Sequence, residues 1–259
     1  MHMDIFENHN NLSSDYPEQT TLPTVLVMGG SGVIGTAICS RFAEANWLVG
    51  VHYNQHQPYD QETCSHLHQR QKNQALFQAD VRDPIQVKHM VDQFMSQWEK
   101  LDVLIWAVGQ TSNDVTRRLT TGQWDNIIQT NLTGLFYCLQ ALSPIFQNQK
   151  KGSVLIVSSL ASTQGTIGQT AYAASKAGVL GLMRSVAQEW GASNIRVNAV
   201  FPGWHQSPLS GNAFPSPNSC HDHLLGHTPN LEATANLIFH LATAQDISGQ
   251  IFNLDNRIG

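Results

Sequence analysis

From Thr24 onward the chain alternates short apolar runs with longer amphipathic stretches, and this alternation constrains its fold more than any other feature. TVLVMGG is followed by AICSRFAEANW, then LVGVHYN, a polar helical stretch, and ALFQADV. Short, continuous, β-branched apolar runs fit strands buried on both faces, and the stretches between them carry helical periodicity. Strands separated by helices join in parallel through crossovers. The rhythm continues with a helix predicted over 85–98, a buried strand in LDVLIWAVG, a long helix over 124–146 and a buried strand in SVLIVSS. A helix over 172–191, a strand in IRVNAVFPG, a helix over 231–244 and a last strand in QIFNL complete it. The expected architecture is α/β, a doubly wound parallel β-sheet with helices on both faces.

At 259 residues and 41% hydrophobic content the chain supports one sizeable core, so a single domain is expected over 24–259. Residues 1–23 are polar and acidic without an apolar stretch; they predict a flexible N-terminal arm, neither a signal peptide nor a membrane span. Only the Pro-rich segment 208–230 breaks the pattern. It follows the end of a strand, where ligands of such sheets bind, and is read as a substrate flap, with a plain surface loop as the alternative.

A formal charge of −5, with only 13% charged residues, offers no basic stripe for a phosphate backbone, so no nucleic acid and no membrane partner is expected. Cys39, Cys64, Cys138 and Cys220 lie far apart without a CxxC pair, which fits a reducing cytoplasm. Of the twelve histidines, His66 and His68, or His221 and His223, stand in polar stretches without the partners and i, i+4 spacing of a metal site. No metal is expected.

The run VLVMGGSGVIGTAI sets Gly29, Gly32 and Gly35 between a buried strand and a helix. Glycines there let the backbone approach a pyrophosphate closely, while the helix N-terminus offers free N–H groups and its positive dipole end. Strand and helix in the right places predict a dinucleotide site on a Rossmann fold; a structural tight turn is the alternative. An NAD-type site wants a carboxylate after the second strand, and none stands in His52-Tyr53-Asn54-Gln55. NADP(H) is therefore favoured over NAD(H), with His52, Asn54 and Ser31 the polar contacts on offer for a 2′-phosphate in the absence of a nearby Arg or Lys. Asp80, ending ALFQAD, fits an acceptor for the adenine amino group or a cap for the following helix.

Tyr172 and Lys176 are four apart at the start of a helical stretch and share one face. A free tyrosine, with a pKa of about 10, is a poor acid or base at neutrality, but an adjacent ammonium favours the phenolate. The spacing also arises by chance as a surface pair. Ser159, closing SVLIVSS thirteen residues before the tyrosine, adds a hydroxyl able to polarise a carbonyl.

With NLTGLFY, SVLIVSSL, AYAASKAGVLGLMRSVAQEW, NIRVNAVFPG and the glycine turn in this order, the chain resembles the short-chain dehydrogenase/reductase family, especially its 3-oxoacyl-carrier-protein reductase-type members, from about Thr24 to Asp255. The resemblance implies a catalytic tetrad. Tyr172 would be the general acid in reduction, Lys176 would lower its pKa and bind the nicotinamide ribose, Ser159 would hold the substrate carbonyl, and Asn131 would hold a water that relays protons to Lys176. It implies cofactor contacts at Gly29, Ser31, Gly32, Ile34 and Gly35, at His52, Tyr53 and Asn54, at Asp80 and Val81, at Ala107, Val108 and Gly109, and at Pro202, Gly203 and Ser207. A homo-oligomer, a tetramer, is also implied, with 124–146 and 173–190 as interface helices.

The chain departs from the family pattern in places. Val33 replaces the middle glycine of the turn, Trp106-Ala107-Val108-Gly109 replaces NNAG and removes amides that brace the central strand, and the last strand ends LDNR where VDGG is common. The expected function is an NADP(H)-dependent reductase of a ketone or 3-oxoacyl substrate, with a carrier-protein or CoA thioester among its partners. Of two basic residues that dock the carrier protein in similar reductases, Lys150 keeps one and Ser193 occupies the other place. Alternatives are a pteridine or small-carbonyl reductase of the same family, and a non-catalytic cofactor-sensing protein motivated by Val33 and Trp106.

Overall fold

Leu26 and Met28 of β1 (Thr24–Met28) pack into one core, while Val25 and Val27 pack into another, all fully buried. Parallel strands covered on both faces need apolar residues at every position, which is why the runs in the sequence do not alternate. The same division repeats in β4 (Val103–Trp106) and β5 (Gly152–Val157), where Leu104, Trp106, Val154 and Ile156 face one core and Val103, Ile105, Leu155 and Val157 the other. In this computed structural model, which describes residues 22–57, 73–210 and 220–257, β2 (Leu48–Tyr53), β3 (Gln74–Gln78), β6 (Ile195–Phe201) and β7 (Ile251–Asn253) complete a sheet of order β3-β2-β1-β4-β5-β6-β7. Every pairing is parallel.

Helices α1 (Val33–Glu44) and α7 (Leu231–Thr243) cover one face. On the other lie α2 (Pro84–Trp98), α4 (Gly134–Gln149) and α6 (Thr170–Gly191). This is the doubly wound architecture expected. β1 sends the chain to β2 on one side and pairs with β4 on the other, so the order reverses between β1 and β4, and the crevice at their carboxyl ends is the ligand position of such sheets.

The helix expected over 124–146 differs in detail. It begins at α3 (Thr121–Ile128), which Thr120 and Gln123 close with a reciprocal capping box, passes through a π-helical turn over Gln129–Thr133, and resumes as α4. A π turn breaks the regular ladder and commonly marks a functional position; Asn131 stands inside it. A short α5 (Ala161–Gln164) after β5 was not anticipated. Helix α2 is capped by Asp83, which accepts from the N–H groups of Ile85 and Gln86, so Asp80 does not serve as that cap.

Trp106, expected to weaken the brace of the central strand, is wholly buried, and β4 still pairs through it with Met28 on one side and Ile156 on the other. Packing has replaced side-chain amides, and the indole N–H is left without a partner. The expected arm, apart from residues 22 and 23, and Cys64, His66 and His68 fall outside the described residues, as does 211–219 of the expected flap. Cys39 and Cys138 are buried free thiols, and Cys220 is buried. Among the described residues no helix is long and apolar enough to cross a membrane, and no group of three His, Cys, Asp or Glu is placed to hold a metal ion.

Phe94 joins α2 to the sheet: it stacks edge-on against Trp98 at 4.9 Å and lies 5.4 Å from Phe77. A Cβ on Gly50 of β2 would stand 2.7 Å from its ring. Phe94→Ala should therefore cost about 3–5 kcal/mol, read by urea denaturation; a loss near zero would contradict this packing.

Candidate active site

The glycine turn closes on itself. Gly29 has φ +77°, Gly32 N–H donates to the Gly29 carbonyl at 3.1 Å, and the Thr36 hydroxyl donates to the Gly30 carbonyl at 3.1 Å. A Cβ on Gly35 would stand 2.1 Å from the Gly29 oxygen, so only glycine lets α1 start this close to β1. Gly32 is the N-cap of α1 and provides no side-chain cap, and the first turn carries no acidic residue. The positive end of α1 is therefore available to an anion, and the loop fits a dinucleotide pyrophosphate. Ser31 and Ile34 are partly exposed beside it.

His52 corrects an expectation. Gly29 N–H donates to its Nδ1 at 3.0 Å, and its Nε2 lies 3.0 Å from the Ala79 carbonyl. The first partner can only donate and the second only accept, which fixes the neutral Nε2–H tautomer. The ring ties the glycine turn to the end of β3 and has no nitrogen left for a 2′-phosphate. Tyr53 closes β2 with its hydroxyl accepting from Gln57, and the Asn54 carbonyl accepts from Gln78.

Asp80 is paired with Arg82, whose Nε and Nη2 both reach its carboxylate, at 2.9 and 2.5 Å. Arg82, together with a contribution from Asn54, holds the carboxyl below its ordinary range. Nη1 of Arg82 donates to Asn126 at 2.7 Å. This cation beside Asp80 was not legible in the sequence because it lies beyond β3, not in the turn after β2. The Val81 side chain is buried against Gly134, leaving only its backbone to a ligand.

At the catalytic end, Lys176 is buried, with Nζ donating to the carbonyls of Val157 at 3.0 Å and Val108 at 3.3 Å. Burial lowers its pKa to about 8. Gly109 leaves its approach open, since a Cβ there would stand 3.4 Å from Nζ. Ala107 continues β4 by donating to the Met28 carbonyl. Burial pushes the Tyr172 phenol up, while a hydrogen bond from Ser159 and the charge of Arg257 act the other way. The Asn131 side chain accepts from Gln110 N–H at 2.7 Å and donates to the Gln110 carbonyl and the Ser175 hydroxyl, both at 2.9 Å. Asn131, Ser159, Tyr172 and Lys176 thus converge at the carboxyl edge between β4, β5 and α6.

Gly203, with φ +84°, packs against Pro229, so the turn at Pro202 is held by the far end of the flap. Ser207 exchanges hydrogen bonds with Ser210 in a tight turn, and its hydroxyl accepts from Ser210 N–H. That engagement was not foreseen for a residue expected to contact the cofactor.

The chain matches the profile of the family described as short chain dehydrogenase over residues 23–218. It is 35% identical over 187 residues, 72% of this chain and 76% of the relative, to the 3-oxoacyl-[acyl-carrier-protein] reductase FabG of Staphylococcus aureus. It is 30% identical over 243 residues, 91% of this chain and 96% of the relative, to the 3-oxoacyl-[acyl-carrier-protein] reductase of Synechocystis. The crystal structure of gox2181 superposes with a TM-score of 0.82 at 27% identity, covering 91% of this chain and 95% of that one. ElxO with NADP bound shares the fold at a TM-score of 0.81 and 23% identity, covering 91% and 98%.

Burial favours the neutral ring of His52 and takes its folded pKa down to about 4 from 6.5. The stability this group contributes is fully present above pH 6.5 and is lost as the pH falls toward 4, because the unfolded chain takes up the proton first. At about 1.4 kcal/mol per unit, the loss amounts to ~3 kcal/mol. Urea denaturation between pH 7 and pH 4 should show this slope in the wild type and its disappearance in His52→Asn, which retains an acceptor for Gly29; equal slopes would contradict the assigned tautomer.

Proposed function

Because the chain belongs to the short-chain dehydrogenase family, we propose that it is a nicotinamide-dependent oxidoreductase that reduces a ketone or 3-oxoacyl substrate to the alcohol, reversibly. The observation that carries this reading is the convergence of Tyr172, Ser159 and the buried Lys176 at the carboxyl edge of the sheet. The residues present fit the cofactor: the uncapped start of α1 receives the pyrophosphate, the Asp80–Val81 backbone the adenine, and Lys176 beside Gly109 the nicotinamide ribose. When bound, the nicotinamide supplies the hydride to the substrate carbon.

The chain's own groups handle the proton. Ser159 hydrogen-bonds the substrate carbonyl and stabilises the charge that develops on its oxygen, and Tyr172 donates its phenolic proton to that oxygen. Lys176, an ammonium below about pH 8, stabilises the resulting phenolate and holds the ribose hydroxyls. Asn131, clamped to Gln110 in the π turn, positions the water that returns a proton toward Lys176.

NADP(H) is the preferred cofactor in this reading. The turn after β2 offers no carboxylate to repel a 2′-phosphate, and Arg82 brings a guanidinium to Asp80, which Asn54 also contacts. A homo-oligomer, a tetramer, belongs to the same proposal; Trp124 and Phe136 stay exposed on the helices singled out for an interface. So does a cytoplasmic setting. Of the two carrier-protein docking positions, Lys150 is exposed, whereas Ser193 is neutral and donates to Gln147 of α4, which favours a free small-molecule or CoA substrate over a docked carrier.

Two outcomes test this. Fluorescence titration should show NADPH binding more tightly than NADH; equal or tighter NADH binding would reverse the assigned preference. Cofactor oxidation across ketones and acetoacetyl thioesters should show turnover that falls by about 10² to 10⁴ in Tyr172→Phe, with cofactor affinity kept within a few-fold, because the hydroxyl acts only as charge develops. Lys176→Ala should lose both rate and cofactor affinity. Retention of more than about a tenth of the activity by Tyr172→Phe would remove it as the proton donor.

A further inference from the structure

Strands β6 and β7 pair in parallel, with Phe201 opposite Asn253, so the segments that leave them emerge side by side at the edge carrying Ser159 and Tyr172. The first segment presents Trp204 after the Pro202–Gly203 turn. The second presents Asp255 and Arg257, in the LDNR ending that departs from the family pattern. The Arg257 guanidinium lies over the Trp204 ring, 5.0 Å from its centroid. Its Nε and Nη2 both bind the Asp255 carboxylate, at 2.9 and 2.5 Å, and the Asp255 side chain is only 2% exposed. The backbone is fixed too: Arg257 bridges His223, and Leu224 N–H donates to the Asn256 carbonyl.

A guanidinium gripped along one edge by a buried carboxylate and stacked on an indole has lost most of its rotamer freedom before any ligand arrives. Its remaining nitrogen, Nη1, has no protein partner among the described residues, and the side chain is 23% exposed. Its charge acts on the Tyr172 phenol, so the guanidinium lies within electrostatic reach of the proposed proton donor. A purely structural tie between the segments after β6 and β7 would not need a guanidinium edge left without a protein partner among the described residues.

We propose that Arg257 is a specificity-determining residue that binds a carboxylate on the substrate close to the carbonyl being reduced, so that among ketones and 3-oxoacyl compounds short oxo acids are the preferred class. The inference rests on the reductase reading for its chemistry, but the anion site stands on its own contacts. A planar carboxylate meets the free edge of the fork by a charge-assisted hydrogen bond, in water partly excluded by Trp204.

Acetoacetate and its ethyl ester differ only in that charge. Wild type should show a KM for acetoacetate below that for ethyl acetoacetate, and Arg257→Gln should raise the acetoacetate KM by about tenfold or more while leaving the ester within about two- to threefold, as expected for one desolvated charged contact. Equal effects on both, or a wild-type preference for the ester, would overturn the proposal. Calorimetric titration of acetoacetate into the chain, with and without NADP⁺, separates the two readings. Saturable binding abolished in Arg257→Gln but without turnover upholds the anion site and removes the reductase reading. No binding in either form removes the anion site, whatever other ketones are turned over. Circular dichroism of Arg257→Gln at 25 °C should match wild type; a variant that unfolds is replaced by Arg257→Lys, for which a smaller rise in the acetoacetate KM is expected.

Discussion

The contact between Gly35 and the Gly29 carbonyl governs the rest of the site. A single methyl there would stand 2.1 Å from the oxygen, so the start of α1 is seated on the end of β1 as closely as backbone allows. That seating aims the helix's free N–H groups into the crevice where strand order reverses. The turn alone would be loose, since glycines lose more conformational freedom on ordering than other residues. His52 offsets that weakness: its neutral ring accepts from Gly29 and is anchored on Ala79, so the turn is tied to the sheet two strands away. The departure at Val33 leaves this seam untouched, because neither contact involves it.

Lys176, the proposed catalytic cation, is satisfied by backbone in a way that a ligand could exchange. Lys176 donates to two carbonyls at 3.0 and 3.3 Å, which makes burying an ammonium tolerable, while burial takes its pKa down to about 8. Hydroxyl groups arriving over Gly109 would replace neutral acceptors with neutral acceptors, so the exchange needs no new buried charge. Asn131 is the fixed member of the group. Its amide grips both backbone groups of Gln110 and the Ser175 hydroxyl from within the π turn.

Much of this was legible in the residues. Runs buried on both faces read as parallel strands because every position is apolar, and the capped, periodic stretches read as helices. The π turn was not, because one extra residue in a ladder hardly alters the side-chain periodicity of 124–146. Nor were the pairings of His52 with Gly29 and of Arg82 with Asn126, which join residues 23 and 44 apart and depend on side-chain direction. Trp106 was read as a lost amide brace, whereas the sheet keeps its pairing and the cost appears as an unpartnered indole N–H. Arg257 was visible only as a departure at the end of the last strand; its place over Trp204 follows from β6 and β7 ending together.

Electrostatics around Tyr172 bear on the direction of the chemistry. Burial is the largest influence on its phenol and raises the pKa, and the Ser159 hydrogen bond and Arg257 only partly counter it. The unliganded site therefore holds the proton on the phenol at neutral pH, which is the form a general acid must have. Arg257 only partly counters burial, and Lys176, at 5.9 Å from the ring centroid, is itself held near the point of losing its proton. Oxidation of an alcohol needs the phenolate as base, so it requires an added positive charge near the phenol, which an oxidised nicotinamide brings and a reduced one does not. On the proposed chemistry the same residues would serve reduction with the proton already in place, and oxidation only once the charge of a bound oxidised nicotinamide had favoured the phenolate. The ionisation of one phenol would then be coupled to the redox state of the cofactor.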